Sequence, residues 1–117
     1  MDRRALGRWG EELAVQHLRQ QGFEVLDRNW RRREGELDVV AVDGRSLVFV
    51  EVKARSGLAF GEPAEAVSRT KARRIHGLAR QWLSEHRPPG EWELRFDVVS
   101  VLRTTGLPEV SHLRGAF

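Results

Sequence analysis

Two apolar, β-branched runs joined by Asp43-Gly44 constrain this chain more than any other feature. Residues 36 to 42 read ELDVVAV, and residues 47 to 54 read LVFVEVKA. Both are apolar on both faces of a strand, which suits strands covered on two sides. Asp-Gly between them is a strong hairpin signal. The flanking segments supply the covering layers. Residues 4 to 21 read as an amphipathic helix, with Leu6, Trp9, Leu13, Ala14 and His17 recurring at three- and four-residue steps. Gly22 is a natural stop. Phe23 to Trp30 alternates loosely as a strand. A loop over 55 to 62 leads to a second helix, predicted from about 63 to 86 with Pro63 in its first turn and Pro88-Pro89-Gly90 after its end. Trp92, Leu94, Phe96 and Val98 alternate as a further strand running to about Leu102, and a short last strand covers Glu109 to Leu113. The order αβββαβ, with that added strand, predicts an α/β fold: a mixed β-sheet with flanking helices.

Composition narrows the class. At 117 residues, with 40% hydrophobic and 32% charged, the chain reads as a single globular domain over 1–117. Cysteine is absent, which excludes disulfides, thiolate metal sites and cysteine nucleophiles. No run is apolar enough for a membrane span. The start, MDRRALGRWGEE, lacks a secretory signal, so a cytoplasmic protein with no membrane partner is expected. There is no G-x-x-x-x-G-K-[ST] phosphate loop, no G-x-G-x-x-G fingerprint and no G-x-S-x-G elbow. His17, His76, His86 and His112 show no metal-ligand spacing. Trp9, Trp82 and Trp92 read as core anchors, and Trp30 as either core or a contact for a base or ribose.

The chemistry concentrates around the hairpin. Of the 20 basic residues, only Lys53 and Lys71 are Lys, and the rest are Arg. A flexible point charge and a fixed fork are not interchangeable at a site, so those two lysines stand out. Glu51 and Lys53 are two apart on a strand and share one face, along with Leu47 and Phe49. That pair is costly among apolar neighbours unless it is salt-bridged at the strand's end or used. With Asp43-Gly44 as a two-residue turn, Val42 pairs with Arg45, Asp38 with Phe49 and Glu36 with Glu51. Asp38 and Glu51 then lie diagonally on one face, Cβ atoms about 7 Å apart. A three-residue turn would place them on opposite faces. Carboxylates so close need neutralising, and oxygen-only ligands favour Mg²⁺ or Mn²⁺ over Zn²⁺.

Glu11, at the edge of the first helix's buried face, is a third carboxylate candidate. Its alternative reading is a first-turn acid complementing the helix dipole, a role that Glu12 on the solvent side fits better. Gly7 and Gly10 are expensive inside a helix, about 1 kcal/mol each. They make sense if the helix packs closely on the sheet or leaves room for a ligand. Lys71 falls among the apolar positions of the second helix, Val67, Ile75, Leu78 and Trp82. It either snorkels or points at the Asp38–Glu51 site. The opposite stripe, Arg69, Arg73, His76, Arg80 and Arg87, and the cluster Arg31, Arg32 and Arg33, read either as solvated faces or as tracks for a phosphate backbone.

Taken together, GRWGEELAVQHL, RNWRRREGELDVV, LVFVEVKAR, SRTKARRI and RFDVV resemble the YraN-type family of small bacterial proteins. That family is related to archaeal Holliday junction resolvases within the PD-(D/E)xK nuclease superfamily. The resemblance covers about residues 7 to 101. It implies a restriction-endonuclease-like αβββαβ core and a metal-dependent endonuclease acting on DNA, with branched or junction DNA as a candidate substrate. It makes Asp38 the acid of the second strand, Glu51 and Lys53 the (D/E)xK pair, and Glu11 the helix glutamate. Lys71 matches a lysine of the following helix. Leu37 stands where the superfamily's short motif has proline. Asp38, Glu51 and the Val52 carbonyl would hold Mg²⁺ or Mn²⁺ with DNA as partner. Arg55 joins Arg31, Arg32, Arg33, Arg69, Arg73 and Arg80 as nucleic-acid-binding candidates. Junction cleavage would need two sites, hence a homodimer. The competing readings are a nucleic-acid-binding accessory with a weak or silent site, and a globular domain whose acidic cluster binds metal for stability only.

Overall fold

A computed structural model describes residues 1–57 and 67–117. The elements are α1 (Arg3–Gln20), β1 (Glu24–Arg32), β2 (Gly35–Asp43), β3 (Ser46–Ser56), α2 (Arg69–His86), β4 (Glu93–Arg103) and β5 (Glu109–Leu113). This is the αβββαβ order with one more strand. The strands form a single sheet in chain order. Among the described residues only β3 and β4 run parallel; the other neighbours are antiparallel. After α2 the chain is back level with the start of β3, where Ser46 pairs with Glu93, as a parallel joint requires. Among the described residues no helix is long and apolar enough to cross a membrane.

The two apolar faces of the hairpin meet two separate layers. Val39, Ala41, Val48 and Val50 pack with Val99 and Val101 against Ala14, Val15 and Leu18 of α1. Val40, Leu47 and Phe49 pack on the other side with Ile75, Leu78, Ala79 and Trp82 of α2. Trp30 joins this second cluster, and the Arg32 guanidinium lies 4.0 Å from its ring centroid. Trp30 is therefore core and not an open platform for a base. His76 also leaves the expected solvated stripe: its ring is 4.2 Å from that of Phe96 and stacks on Phe117.

The hairpin turns one residue later than expected. Asp43 pairs with Ser46 and Val42 with Leu47, so Gly44-Arg45 form the turn. Gly44 has φ +60°, and Arg45 does not have positive φ. That is the type II′ pattern, which asks for positive φ only at its first central residue. Centring the turn on Asp43-Gly44 would demand it of Asp43 as well. Asp43 instead accepts from Arg95 Nη1 at 3.0 Å. The shift is by an even number of residues, and the observed register brings Asp38 level with Glu51 just beyond the last ladder pair, Val39↔Val50.

Both helices begin at a side-chain cap. Asp2 Oδ1 accepts from the Ala5 N–H at 2.8 Å, so α1 starts at Arg3. Glu11 and Glu12 therefore lie in the third turn, beyond reach of the dipole's end. The buried face of α1 is Gly10, Ala14, Val15 and Leu18, rotated from the expected stripe. Ser68 Oγ accepts from the Lys71 N–H at 3.1 Å and sets the start of α2. Residues 67 and 68 are not helical. The expected start at 63, with Pro63, and most of the expected loop fall in 58–66, outside the described residues.

The two glycines of α1 serve opposite ends. A Cβ at Gly10 would sit 2.5 Å from the Ala54 Cβ of β3, whereas one at Gly7 would meet nothing within 4 Å. Gly10 lets the helix touch the sheet; Gly7 leaves space empty.

Asp97 on β4 is fully buried. It accepts from Arg95 Nε at 2.9 Å, Arg95 Nη2 at 3.0 Å, His112 Nε2 at 2.8 Å and the Gly115 N–H at 3.0 Å. His112 Nδ1 in turn lies 3.1 Å from His17 Nε2, linking β5 to α1. Burial alone would raise the Asp97 carboxyl, but the His112, Arg95 and Gly115 donors outweigh it and hold the group at about 2.

Two outcomes are expected. Gly10→Ala destabilises the protein by about 1–3 kcal/mol through overpacking, while Gly7→Ala stabilises it by about 1 kcal/mol; urea unfolding of the two variants beside the parent measures both. Asp97→Asn strands buried donors and costs about 3–5 kcal/mol, read in the same titration.

Candidate metal centre

β2 and β3 stay paired from Asp43↔Ser46 to Val39↔Val50. Beyond that point Asp38 Oδ2 accepts the Val52 N–H at 2.8 Å. A side chain has taken a main-chain donor on the neighbouring strand, and the strands part around it. The space between them and α1 is an open cavity of about 830 Å³, lined by Glu11, Glu36, Asp38, Glu51 and Val52 with arginines at its rim. Asn29 of β1 also lines it, in the left-handed region at φ 53°.

Three carboxylates converge there. One oxygen each from Glu11, Glu36 and Asp38 lies within 4.8 Å of the others. Glu11 Oε1 is buried and has no hydrogen-bond partner. Glu36 Oε2 accepts from Arg31 Nε at 3.0 Å. Burial drives the Asp38 carboxyl up to about 8, with the charges of Glu51, Glu11 and Glu36 adding and the Val52 N–H opposing. Burial raises Glu11 too; the nearby Glu36 charge adds to this, and Asn29, Arg28 and Arg31 work against it. An oxygen-only donor set with an orphaned buried oxygen and mutually repelling charges fits a hard divalent cation.

Glu51 is 8% exposed, and its Oε1 is 2.6 Å from Lys71 Nζ. Lys71 is therefore directed at the site: it reaches from α2 to Glu51 in the middle of β3. Lys53 stands on the next pleat of the same strand face, half-buried, beside Ser100 of β4. Val52 lines the cavity, with its N–H committed to Asp38. The structure thus gathers Glu11, Asp38, Glu51 and Val52 at one cavity and ties Lys71 to it. The close carboxylate triad contains Glu36, which the sequence reading placed opposite Glu51 without giving it a role. Its signal was the ExD spacing, two residues before Asp38.

The expected arginines divide. Arg31 lines the cavity and is paired with Glu36. Arg32 is engaged with Glu85 and Trp30. Arg33 is exposed just beyond β1. Arg55 is half-buried near the end of β3. Arg69, Arg73 and Arg80 are exposed on α2, the layer across the sheet from α1.

A mixed sheet between two helices, with an acidic centre where two central strands part, is the class of protein defined here. Over residues 10–101 the chain matches the model of the uncharacterised protein family UPF0102. It is 58% identical over 114 residues to the UPF0102 protein of Frankia casuarinae, across 97% of this chain and 96% of that one. It is 54% identical over 118 residues to that of Nocardia farcinica, across 99% and 91%. It is 50% identical over 125 residues to that of Acidothermus cellulolyticus, across 98% and 95%. The protein belongs to the UPF0102, or YraN-type, family.

The raised Asp38 group has a testable sign. The folded state keeps a proton up to about pH 8 that the unfolded state releases near 3.8, so stability falls as pH rises between those values. In chelator, Asp38→Asn is expected to be more stable than the parent at pH 8, by on the order of 2 kcal/mol. The gap shrinks toward pH 5. Paired thermal melts across that range measure it; a gap constant with pH contradicts the expectation.

Proposed function

We propose that this protein is a cytoplasmic, metal-dependent endonuclease that hydrolyses phosphodiester bonds in DNA, with branched or junction DNA as the structure to test first. One observation carries the reading: Glu11, Glu36 and Asp38 bring oxygens within 4.8 Å of one another in an open cavity rimmed by arginine. Acids at the floor and guanidinium groups at the rim suit a phosphate bridged to a cation.

Mg²⁺ or Mn²⁺ would be held by Asp38, Glu11 and Glu36, with Glu51 and the Val52 backbone beside them, and when bound it supplies charge to the phosphoryl oxygens and acidity to a water. The remaining work falls to the chain. The Val52 N–H fixes the Asp38 carboxylate. Lys71 fixes Glu51 through their ion pair. Lys53 brings positive charge to offset what develops on the phosphoryl group. In the net reaction water forms the new P–O bond, the bond to the sugar oxygen breaks, and a water proton goes to that leaving oxygen. Cutting both strands of a junction calls for a homodimer. A second reading, a DNA-binding accessory with a silent site, draws support from Glu51 being committed to Lys71 at 2.6 Å.

Cleavage of labelled linear, flapped and four-way DNA in Mg²⁺ or Mn²⁺ tests this. Asp38→Asn, Glu36→Gln, Glu51→Gln and Lys53→Ala are each expected to lower the rate at least about 100-fold, Lys71→Met by about 10-fold, and chelator to abolish cleavage. Variants that cut like the parent would place the chemistry elsewhere. A parent that binds DNA without cutting it favours the silent-site reading.

A further inference from the structure

We propose that the first two turns of α1 form the track for the substrate's sugar-phosphate strand, with Arg4 and Arg8 gripping successive phosphates across Gly7. The proposal rests on the phosphodiester reading of the carboxylate centre, and it supplies that reading with a substrate path.

Arg3, Arg4, Gly7, Arg8 and Glu11 all line the cavity. Residues 4, 7, 8 and 11 are three or four apart, so they share one helix face. Four residues of helix rise about 6 Å, enough for the two guanidinium groups to meet different phosphates of one strand, which recur about every 3.4 Å along a duplex axis. A strand lying along that face would meet Arg4, then Arg8, then the carboxylates that begin at Glu11.

The other rim cations are engaged. Arg28 is paired with Glu12 at 3.1 Å and Arg31 with Glu36 at 3.0 Å. Arg3, Arg4 and Arg8 are exposed and have no ion pair among the described residues. Three exposed guanidinium groups with no ion pair among the described residues are available to an anion, and arginine is the side chain suited to gripping phosphate by a fork.

Gly7 is the second, independent observation. It is exposed in mid-helix, where glycine costs about 1 kcal/mol relative to Ala. Unlike Gly10, no packing demands it, because a Cβ there would meet nothing within 4 Å. Its lack of a side chain keeps the floor of the cavity open between Arg4 and Arg8, so a backbone can approach the helix closely.

Fluorescence anisotropy of the full chain with a labelled single-stranded or flapped DNA, in chelator, reads binding separately from cleavage. Arg4→Gln/Arg8→Gln is expected to raise Kd at least tenfold and to flatten the slope of log Kd against log salt by about 1.4–1.8, the loss of two phosphate contacts. Gly7→Leu is expected to raise Kd at least tenfold with an undiminished melting temperature. Arg19→Gln/Arg45→Gln, which removes equal charge outside the cavity, should change Kd less than threefold. The track is overturned if the arginine pair or Gly7→Leu binds like the parent, if the remote pair loses as much, or if only Arg69→Gln/Arg73→Gln on α2 weakens binding. A parent that binds no DNA also overturns it. The two proposals separate cleanly: binding lost in the α1 variants of a parent that never cuts leaves the track and removes the nuclease. Binding retained in them, with cleavage lost in Asp38→Asn, does the reverse.

Discussion

The hydrogen bond from the Val52 N–H to Asp38 Oδ2, 2.8 Å long, is the contact on which the site depends. It replaces the regular β2–β3 ladder at the point where that ladder ends. A sheet closed by main-chain pairing alone would have left no gap there. With the carboxylate inserted, Asp38 is anchored and the strands part. The opening faces α1, whose contact with the sheet is set by Gly10, next to Glu11, against Ala54 at the cavity wall. One edge of the cavity is thus fixed by a strand defect and the other by a helix pressed against β3.

Two aspartates show how much environment decides. Asp97 is the more deeply buried, yet four donated hydrogen bonds hold it ionised, at about 2. Asp38 is driven to about 8 by its burial first and then by three neighbouring carboxylates, against a single main-chain donor. The first arrangement welds β4, β5 and α1 together. The second costs stability, offset in part by the Arg31–Glu36 and Lys71–Glu51 ion pairs, and that cost motivates the metal-site proposal.

Much of this was legible in the chain because a short hairpin keeps its two strands close in register. Any even turn between 42 and 47 brings Asp38 near Glu51, so their proximity survived a two-residue error in register, although the side-chain alternation of β2 breaks between Leu37 and Val40. The error arose from turn chemistry: Asp-Gly suggested a turn centred on both residues, whereas type II′ geometry needs only Gly44 at positive φ. Lys71 stood out because lysine is scarce here; helix periodicity alone left its direction open, and in the structure it is ion-paired with Glu51. Glu36 went without a role since the expected ladder paired it with Glu51 instead of closing it on Asp38 and Glu11. The rotation of α1 was hidden as well: Gly10 contributes no hydrophobicity, and its burial depends on Ala54, 44 positions away in the chain. The Asp97–His112–His17 chain joins three elements distant in sequence, and no local spacing announces it.

The proposed function requires Glu11, Glu36 and Asp38 together to hold a divalent cation. Crystals of the full chain grown with Mn²⁺ test it most directly through anomalous scattering. The expected result is a manganese peak bonded to carboxylate oxygens of all three residues and lost in Asp38→Asn. A peak elsewhere, or density at millimolar Mn²⁺ showing those carboxylates bonded only to protein and water, would contradict it.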